Sequence, residues 1–213
     1  LSQTTLKQVQ GEARDELRKL PLDRIKPGRY QPRSVFDQEK LSELADSIRA
    51  QGVVQPVVVR PVDGEDEYEL IAGERRWRAA QIAKLHELPV LVRDYDDTEV
   101  LEIAIIENIQ RADLNPVDEA VGYKQLMDRF GHTQDKLSQA LGKSRSHIAN
   151  LMRLLTLPDE IQTYLINGQL TAGHARALIG HDHATALARE VIQRKLSVRE
   201  TEKLAKKGPA IKR

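Results

Sequence analysis

A chain of 213 residues, 40% hydrophobic and 31% charged, is long enough to bury two modest cores. Aromatic residues make up only 4%, which points to an aliphatic, mostly helical interior. With no cysteine, disulfides, thiolate zinc sites and thiol nucleophiles are excluded, and a reducing cytoplasm is the expected location. The net charge of +1 conceals a split: residues 1–112 hold 17 Lys and Arg against 21 Asp and Glu, and residues 113–213 hold 16 against 11. A cationic second half favours a polyanionic partner. Residues 1–20 have no cationic flank followed by an apolar core, and no later stretch reaches membrane-spanning length, so neither an export signal nor a span is expected.

The first elements alternate in type. Residues 20–25 are strand-like, and Pro27-Gly28 marks a turn. Asp37 is placed to cap a helix running to about Gln51, with Leu41, Leu44, Ala45 and Ile48 on one face and Gly52 at its end. Strands are expected at residues 53–62 and 67–72, separated by Asp63-Gly64. A helix over 73–84, a strand over 88–95 and an apolar helix over 98–110 follow, which together argue for an α/β domain. After Asn115-Pro116 the strand signals stop. Helical patterns continue to the end, broken at Gly131, Gly142, Leu157-Pro158, Gly168, Gly180 and Ser197, so this half is expected to be all helical.

Ile71-Ala-Gly-Glu-Arg-Arg-Trp-Arg-Ala79 places a strand end, a glycine and a helix start in succession, with Arg75, Arg76 and Arg78 in the opening turns. Cations are unfavourable there, because the first turn exposes unpaired N–H groups and the positive end of the helix dipole. A bound phosphate reverses that sign: helix amides, a backbone opened by Gly73 and guanidinium forks would all hold it. Pairing of the arginines with Glu74 and neighbouring acids is the competing explanation. Glu107-Asn-Ile-Gln-Arg111, at the end of the apolar helix, offers a carboxylate and an amide oxygen of the kind magnesium takes alongside phosphate oxygens. A surface pair between Glu107 and Arg111, at i and i+4, is the alternative. Gly142-Lys143-Ser144 is not a phosphate loop, since no strand precedes it and Leu137 stands where the first glycine would fall.

Residues 133–142 form a short helix ending in glycine, and a second helix begins near Ser144 and runs to about Leu155. This is the layout of a helix-turn-helix with Leu137, Leu141, Ile148, Leu151 and Met152 as the shared core. Lys143, Ser144, Arg145, Ser146, His147, Asn150 and Arg153 are the candidate DNA contacts, those nearest the helix start being best placed for base edges. A purely structural helical hairpin is the alternative. His174 and Arg176, near a start capped by Thr171, are candidates for phosphate contact, with closure of a helix–helix contact as the other reading of His174. His181 and His183, two apart, do not face one way and are not read as a metal site.

Arg29-Tyr-Gln-Pro-Arg33, Gln55-Pro-Val-Val-Val-Arg60, Gly73-Glu-Arg-Arg-Trp-Arg-Ala79, Glu107-Asn-Ile-Gln-Arg111, Gly142-Lys-Ser-Arg-Ser146 and Gly173-His-Ala-Arg176 together resemble the ParB/Noc family of chromosome-partitioning proteins, from about Leu20 to Lys207. The resemblance implies a sulfiredoxin-like α/β nucleotide-binding domain followed by an all-helical helix-turn-helix domain. It implies a switch that binds CTP with Mg2+, recognises a palindromic parS site, closes as a clamp and slides on double-stranded DNA. On this resemblance Gln55, Pro56, Gly73, Glu74, Arg75, Arg76, Asn108 and Arg111 would bind nucleotide, Glu107 and Asn108 would serve the metal, and Arg60 and Glu107 would take part in slow CTP hydrolysis. It further implies a homodimer formed by N-terminal engagement and by a further C-terminal domain, a ParA-type ATPase and condensin as partners, and a nucleoid-associated location without membrane attachment.

The expected organisation is a mobile segment over 1–19, a nucleotide domain over 20–112, a DNA domain over 113–207 and the start of a linker over 208–213. A Noc-like membrane anchor is disfavoured by Glu12, Asp15 and Glu16 and by the lack of an aromatic anchor in the first twenty residues. A sulfiredoxin-like or kinase enzyme would leave the helix-turn-helix unexplained, and the first needs a cysteine. A site-specific repressor without nucleotide chemistry is the remaining alternative.

Overall fold

The computed structural model describes residues 16–29, 37–62, 66–111 and 114–207. The chain divides into two compact units, residues 1–107 and 108–213.

The first unit is built on a five-stranded mixed sheet. Its strands are β1 (Glu16–Pro21), β2 (Ile25–Lys26), β3 (Val57–Pro61), β4 (Tyr68–Ala72) and β5 (Glu87–Val92), in spatial order β1-β5-β3-β4-β2. The β1/β5 and β3/β4 pairs are antiparallel, and β3/β5 and β2/β4 are parallel. Val57, Val59, Leu70, Leu88 and Val90 form the buried centre, as β-branched and leucine side chains at alternate strand positions dictate. Helix α2 (Glu74–Ile82) lies between two cores: Trp77 and Ala80 pack on the sheet, and Ala79 packs with Leu41, Ala45 and Ile48 of α1 (Gln38–Gln51). Asp37 caps α1 by accepting the amides of Glu39 and Lys40, and Gly52 ends it with φ 74°. Helix α3 (Asp97–Ile109) follows β5.

The strand expected over 20–25 lies earlier. β1 occupies Glu16–Pro21, and Leu22–Arg24 is a 3-10 turn. The expectation that residues 1–19 form a mobile segment is therefore corrected for Glu16–Lys19, which pair with Pro89–Val92 of β5. Only Leu20 of that strand is buried, so backbone pairing rather than side-chain alternation holds it, and periodicity had nothing to register. Residues 1–15, the expected turn at Asp63-Gly64 and the expected linker over 208–213 lie outside the described residues.

The second unit is helical: α4 (Pro116–Phe130), α5 (Gln134–Leu141), α6 (Arg145–Leu154), α7 (Asp159–Ile166), α8 (Ala172–Leu178), α9 (Ala184–Arg194) and α10 (Val198–Lys207). Asn115, Thr133, Ser144 and Thr171 cap the starts of α4, α5, α6 and α8 by accepting first-turn amides. Tyr123, Leu126, Ile148, Leu154, Ile161, Leu178 and Leu187 are its most buried large side chains. Among the described residues, no helix is long and apolar enough to cross a membrane.

Candidate anion site and DNA-reading element

Gly73 joins β4 to α2 in a left-handed conformation, with φ 100° and ψ 26°. A Cβ added there would fall 2.8 Å from Val57 Cγ1, and Val57 is fully buried, so only glycine fits. No side chain caps the start of α2, and its first intrahelical bond runs from Trp77 N–H to the Gly73 carbonyl. The amides of residues 74–76 therefore precede the helical ladder, the arrangement an anion needs.

The three arginines of α2 take different positions. Arg75 is exposed. Arg76 is half-buried and donates from Nη1 to the carbonyls of Gln55 at 3.0 Å and Pro56 at 2.7 Å, which ties the segment before β3 to the start of α2. Burial lowers its pKa against a smaller opposing pull from Glu107. Carbonyls supply no countercharge, so this guanidinium gains from an anion. Arg78 realises the competing explanation, donating from Nε to Glu74 Oε1 at 2.7 Å. Glu74 is itself buried, and its Oε2 has no hydrogen-bond partner among the described residues. A carboxylate repels phosphate, so its free oxygen suits a water or a cation better than the cradling role expected for it.

Arg60, expected to be catalytic, stands opposite Glu69 and away from Gly73 along the strand. The register sets Val58 against Ala72 but Arg60 against Glu69, about 10 Å along the ladder at the usual rise per residue. Its guanidinium is committed: Nε donates to Glu69 Oε2 at 2.8 Å, Nη2 to Asp97 Oδ1 at 2.5 Å, and Nη1 to the Tyr95 carbonyl at 3.1 Å. Burial works against the charge, but the bonds to Asp97 and Glu69 outweigh it and raise the Arg60 pKa. Glu69, buried, also accepts the Arg29 backbone N–H at 2.8 Å. Arg60 thus fastens β3, β4 and the start of α3 together. Sequence reading missed Glu69 and Asp97; the signal was a lone acid inside the apolar run Tyr68-Glu-Leu-Ile-Ala72.

Glu107 and Asn108 are consecutive near the end of α3, Glu107 exposed and Asn108 half-buried. The Asn108 Oδ1 accepts Arg111 Nη1 at 3.3 Å, so the nearby cation engages the amide oxygen. A carboxylate and an amide oxygen suit magnesium only when phosphate or water completes the shell. No group of three or more His, Asp or Glu able to hold a metal by itself occurs among the described residues.

In the second unit α5 and α6 form the expected helix-turn-helix. Leu137, Ile148 and Leu151 are buried, Leu141 and Met152 are partly buried, and Leu154, which the sequence reading did not include, is fully buried. Gly142 ends α5 in a left-handed conformation, φ 65°. Lys143, Ser144, Arg145, Ser146 and Arg153 are exposed, and Asn150 is half-buried. Arg145 Nη1 lies 3.4 Å from Asp135 Oδ1, an exposed pair that a phosphate or base edge can displace at little cost. His147 differs from the rest: its Nε2 lies 3.2 Å from Glu119 Oε1 on α4. His174 is also occupied. Its Nε2 donates to the Leu196 carbonyl at 3.0 Å, and Nδ1 accepts the Thr171 N–H at 3.2 Å in a capping box. A neutral ring is fully used by those bonds, so His174 closes a helix contact and is not a free phosphate donor. Arg176 is exposed.

This combination defines a helix-turn-helix protein with a separate mixed-sheet unit. Residues 6–109 match the ParB N-terminal domain and residues 112–209 the ParB HTH domain. The chain belongs to the ParB family of chromosome-partitioning proteins. It is 54% identical over 203 residues to the chromosome-partitioning protein ParB of Caulobacter vibrioides strain NA1000 / CB15N, covering 95% of this chain and 67% of that protein. The chain therefore spans about two thirds of the length of that relative. A C-terminally truncated ParB from Caulobacter crescentus, complexed to the centromeric parS site, is 52% identical, with a TM-score of 0.80 over 90% of this chain and 100% of that one. Another, complexed with CTP-gamma-S, is 53% identical over 83% of this chain and 99% of that one, at a TM-score of 0.42.

Proposed function

We propose that this chain is a CTP-dependent DNA-binding switch that recognises a palindromic parS site, closes as a clamp on double-stranded DNA and serves chromosome segregation. The observation that carries the reading is the uncapped, glycine-cradled start of α2 with half-buried Arg76 beside it, in a chain that also carries an exposed reading helix. A repressor without nucleotide chemistry leaves that first feature unexplained.

In this reading the residue 74–76 amides, Arg75 and Arg76 hold the triphosphate, Gln55 and Pro56 border it, and Arg111 is a further cation. Glu107 and Asn108 are the residues to hold magnesium, which when bound would neutralise charge on the phosphate oxygens. Glu74 Oε2 is assigned the proton from the water that attacks the terminal phosphorus as its bond to the bridging oxygen breaks. Slow hydrolysis of CTP to CDP and phosphate would then reset the clamp. Lys143 to Ser146, Asn150, Arg153 and Arg176 form the DNA face, with Arg145 the foremost base reader. A dimer formed by N-terminal engagement, a ParA-type ATPase, condensin and a nucleoid location complete the proposal.

Calorimetry with CTP, ATP, GTP and UTP tests the reading. CTP alone should bind, and Arg76→Ala should abolish that binding while leaving parS affinity largely intact. Loss of DNA binding with normal nucleotide affinity refutes the assignment. The clamp has its own test: the chain has no cysteine, so Gln10→Cys, at a position outside the described residues, gives a background-free thiol cross-link. Cross-linked dimer should accumulate with CTP and parS together, and much less with either alone.

A further inference from the structure

Three polar side chains link the reading helix to the helix beneath it. Tyr123 on α4 is fully buried, and its hydroxyl donates to Glu119 Oε1 at 2.6 Å. The same oxygen lies 3.2 Å from Nε2 of His147, in the first turn of α6. Ser144 caps that turn, its Oγ accepting the His147 N–H at 3.1 Å. Glu119 keeps 17% of its side-chain surface and His147 keeps 42%.

An ionised carboxylate only accepts, so both partners must donate to it, and Nε2 of His147 carries a proton. Burial, together with the bond to Glu119, raises the Tyr123 phenol, which stays a donor through the neutral range. Glu119 itself stands in the first turn of α4, where the helix dipole favours an acid and Asn115 caps the start. One end of the chain of groups is thus locked in the core, and the other grips the turn that presents Arg145 and Ser146.

We propose that Glu119 is a positioning residue for DNA reading: held by Tyr123 from within the core, it fixes His147 and with it the pose of the first turn of α6. The proposal rests on the DNA-reading assignment above. His147 is then a brace and not a base reader. A contact to a base edge tolerates displacement of only about 0.5 Å, so a loosened first turn loses sequence reading before it loses phosphate attraction.

The test uses Glu119→Ala, His147→Ala and the double variant in the full chain. Affinity is measured for a parS duplex and a scrambled duplex of equal length, with hydrogen exchange of the Ser146 to Ile148 amides in the DNA-free protein. Each single variant should lower parS affinity about tenfold, and the double no further, because both break one connection. Scrambled-duplex affinity and its salt slope should move less than about twofold, since the phosphate contacts remain. Amide exchange should accelerate in both single variants, Tyr123→Phe should give a smaller loss of the same kind, and Glu119→Gln, which keeps an acceptor oxygen, should restore most of the affinity. If Glu119→Ala does not fold, His147→Ala and Tyr123→Phe carry the comparison, since a brace predicts loss in both. Loss in His147→Ala alone would mean that His147 touches DNA itself and overturns the proposal. So would equal loss on both duplexes, additive single effects or unchanged exchange. Should the wild-type chain fail to discriminate the two duplexes, the DNA-reading assignment fails, and the exchange result still decides the brace.

Discussion

Replacing Gly73 by alanine should strike the fold of the first unit and its anion site by separable routes. At φ 100° a side chain costs about 1–3 kcal/mol of backbone strain. The new Cβ would stand 2.8 Å from Val57 Cγ1 and 3.1 Å from Val57 Cβ, an overlap in a close-packed core that adds about 1–3 kcal/mol. Lower unfolded-state entropy returns about 0.4–1 kcal/mol, which leaves a net loss of about 2–4 kcal/mol. Val57→Ala removes two buried methyl groups and should cost about 2–3 kcal/mol by itself. In the double variant the closest overlap, with Val57 Cγ1, is relieved while the backbone strain, the lost methyl packing and the 3.1 Å approach to the Cβ of residue 57 persist, so its loss should fall short of the sum by about 1–2 kcal/mol. Urea unfolding followed by Trp77 fluorescence suits the assay, because this is the chain's single tryptophan and it lies four residues along the same segment. The double variant should lose less stability than the two single losses summed and still fail to bind CTP, since a Cβ remains at residue 73. Additivity within about 0.5 kcal/mol would refute the claim that Val57 is what excludes a side chain at residue 73.

Arg60→Ala should destabilise the first unit by about 3–5 kcal/mol, because it strands the buried Glu69 carboxylate, whereas Asp97→Ala, which removes the exposed partner, should cost under about 1 kcal/mol. Similar small losses in urea titrations of both would show that Arg60 is not the fastener described. Arg145→Ala should weaken parS binding by about 1–3 kcal/mol more than binding to random duplex, and equal losses would demote it to a phosphate contact. Glu107→Gln should slow CTP turnover more than it weakens CTP affinity, with unchanged turnover rejecting the metal role. The Arg189 and Tyr164 hydrogen bonds hold the Glu160 carboxyl at about 2, below its ordinary 4.5. Its contribution is thus complete above pH 4.5 and disappears as pH falls toward 2, so an Arg189→Ala stability deficit that does not shrink over that window would reject the pair.

The helix boundaries were largely legible because their causes are local: Asp37, Asn115, Thr133, Ser144 and Thr171 cap the starts, and Gly52, Gly131 and Gly142 end the helices. The helix-turn-helix followed from the same signals together with the spacing of Leu137, Ile148 and Leu151. β1 was misplaced because an edge strand exposed on both faces leaves no alternation to read. Side-chain commitments were the least legible part. An arginine in a motif reads the same whether its guanidinium is free, as at exposed Arg75, or spent, as at Arg60. What decides is the cross-strand partner, and Glu69 becomes that partner only through a register the sequence does not state. The partners of His147 and His174 were illegible for the same reason, each lying more than twenty positions away.

The distribution of unsatisfied polar groups separates the two units in kind. Glu74 Oε2 and Trp77 Nε1, both on α2, are buried without a hydrogen-bond partner, whereas no such atom occurs among the described residues of the second unit. There even deeply placed groups are bonded: Tyr123 to Glu119, and Thr201 to the Ser197 carbonyl. Leaving a buried acceptor unpaired costs about 1–3 kcal/mol, and a fold keeps that cost where something else can offset it. The uncapped helix start, the left-handed Gly73 and the half-buried cation at Arg76 lie within four residues of one another and of Glu74, so this helix start gathers unspent polar capacity. A self-satisfied second unit can read DNA with exposed side chains alone. The first unit, with that capacity still open, is where ligand binding has most to gain and where occupancy can change the stability of the fold.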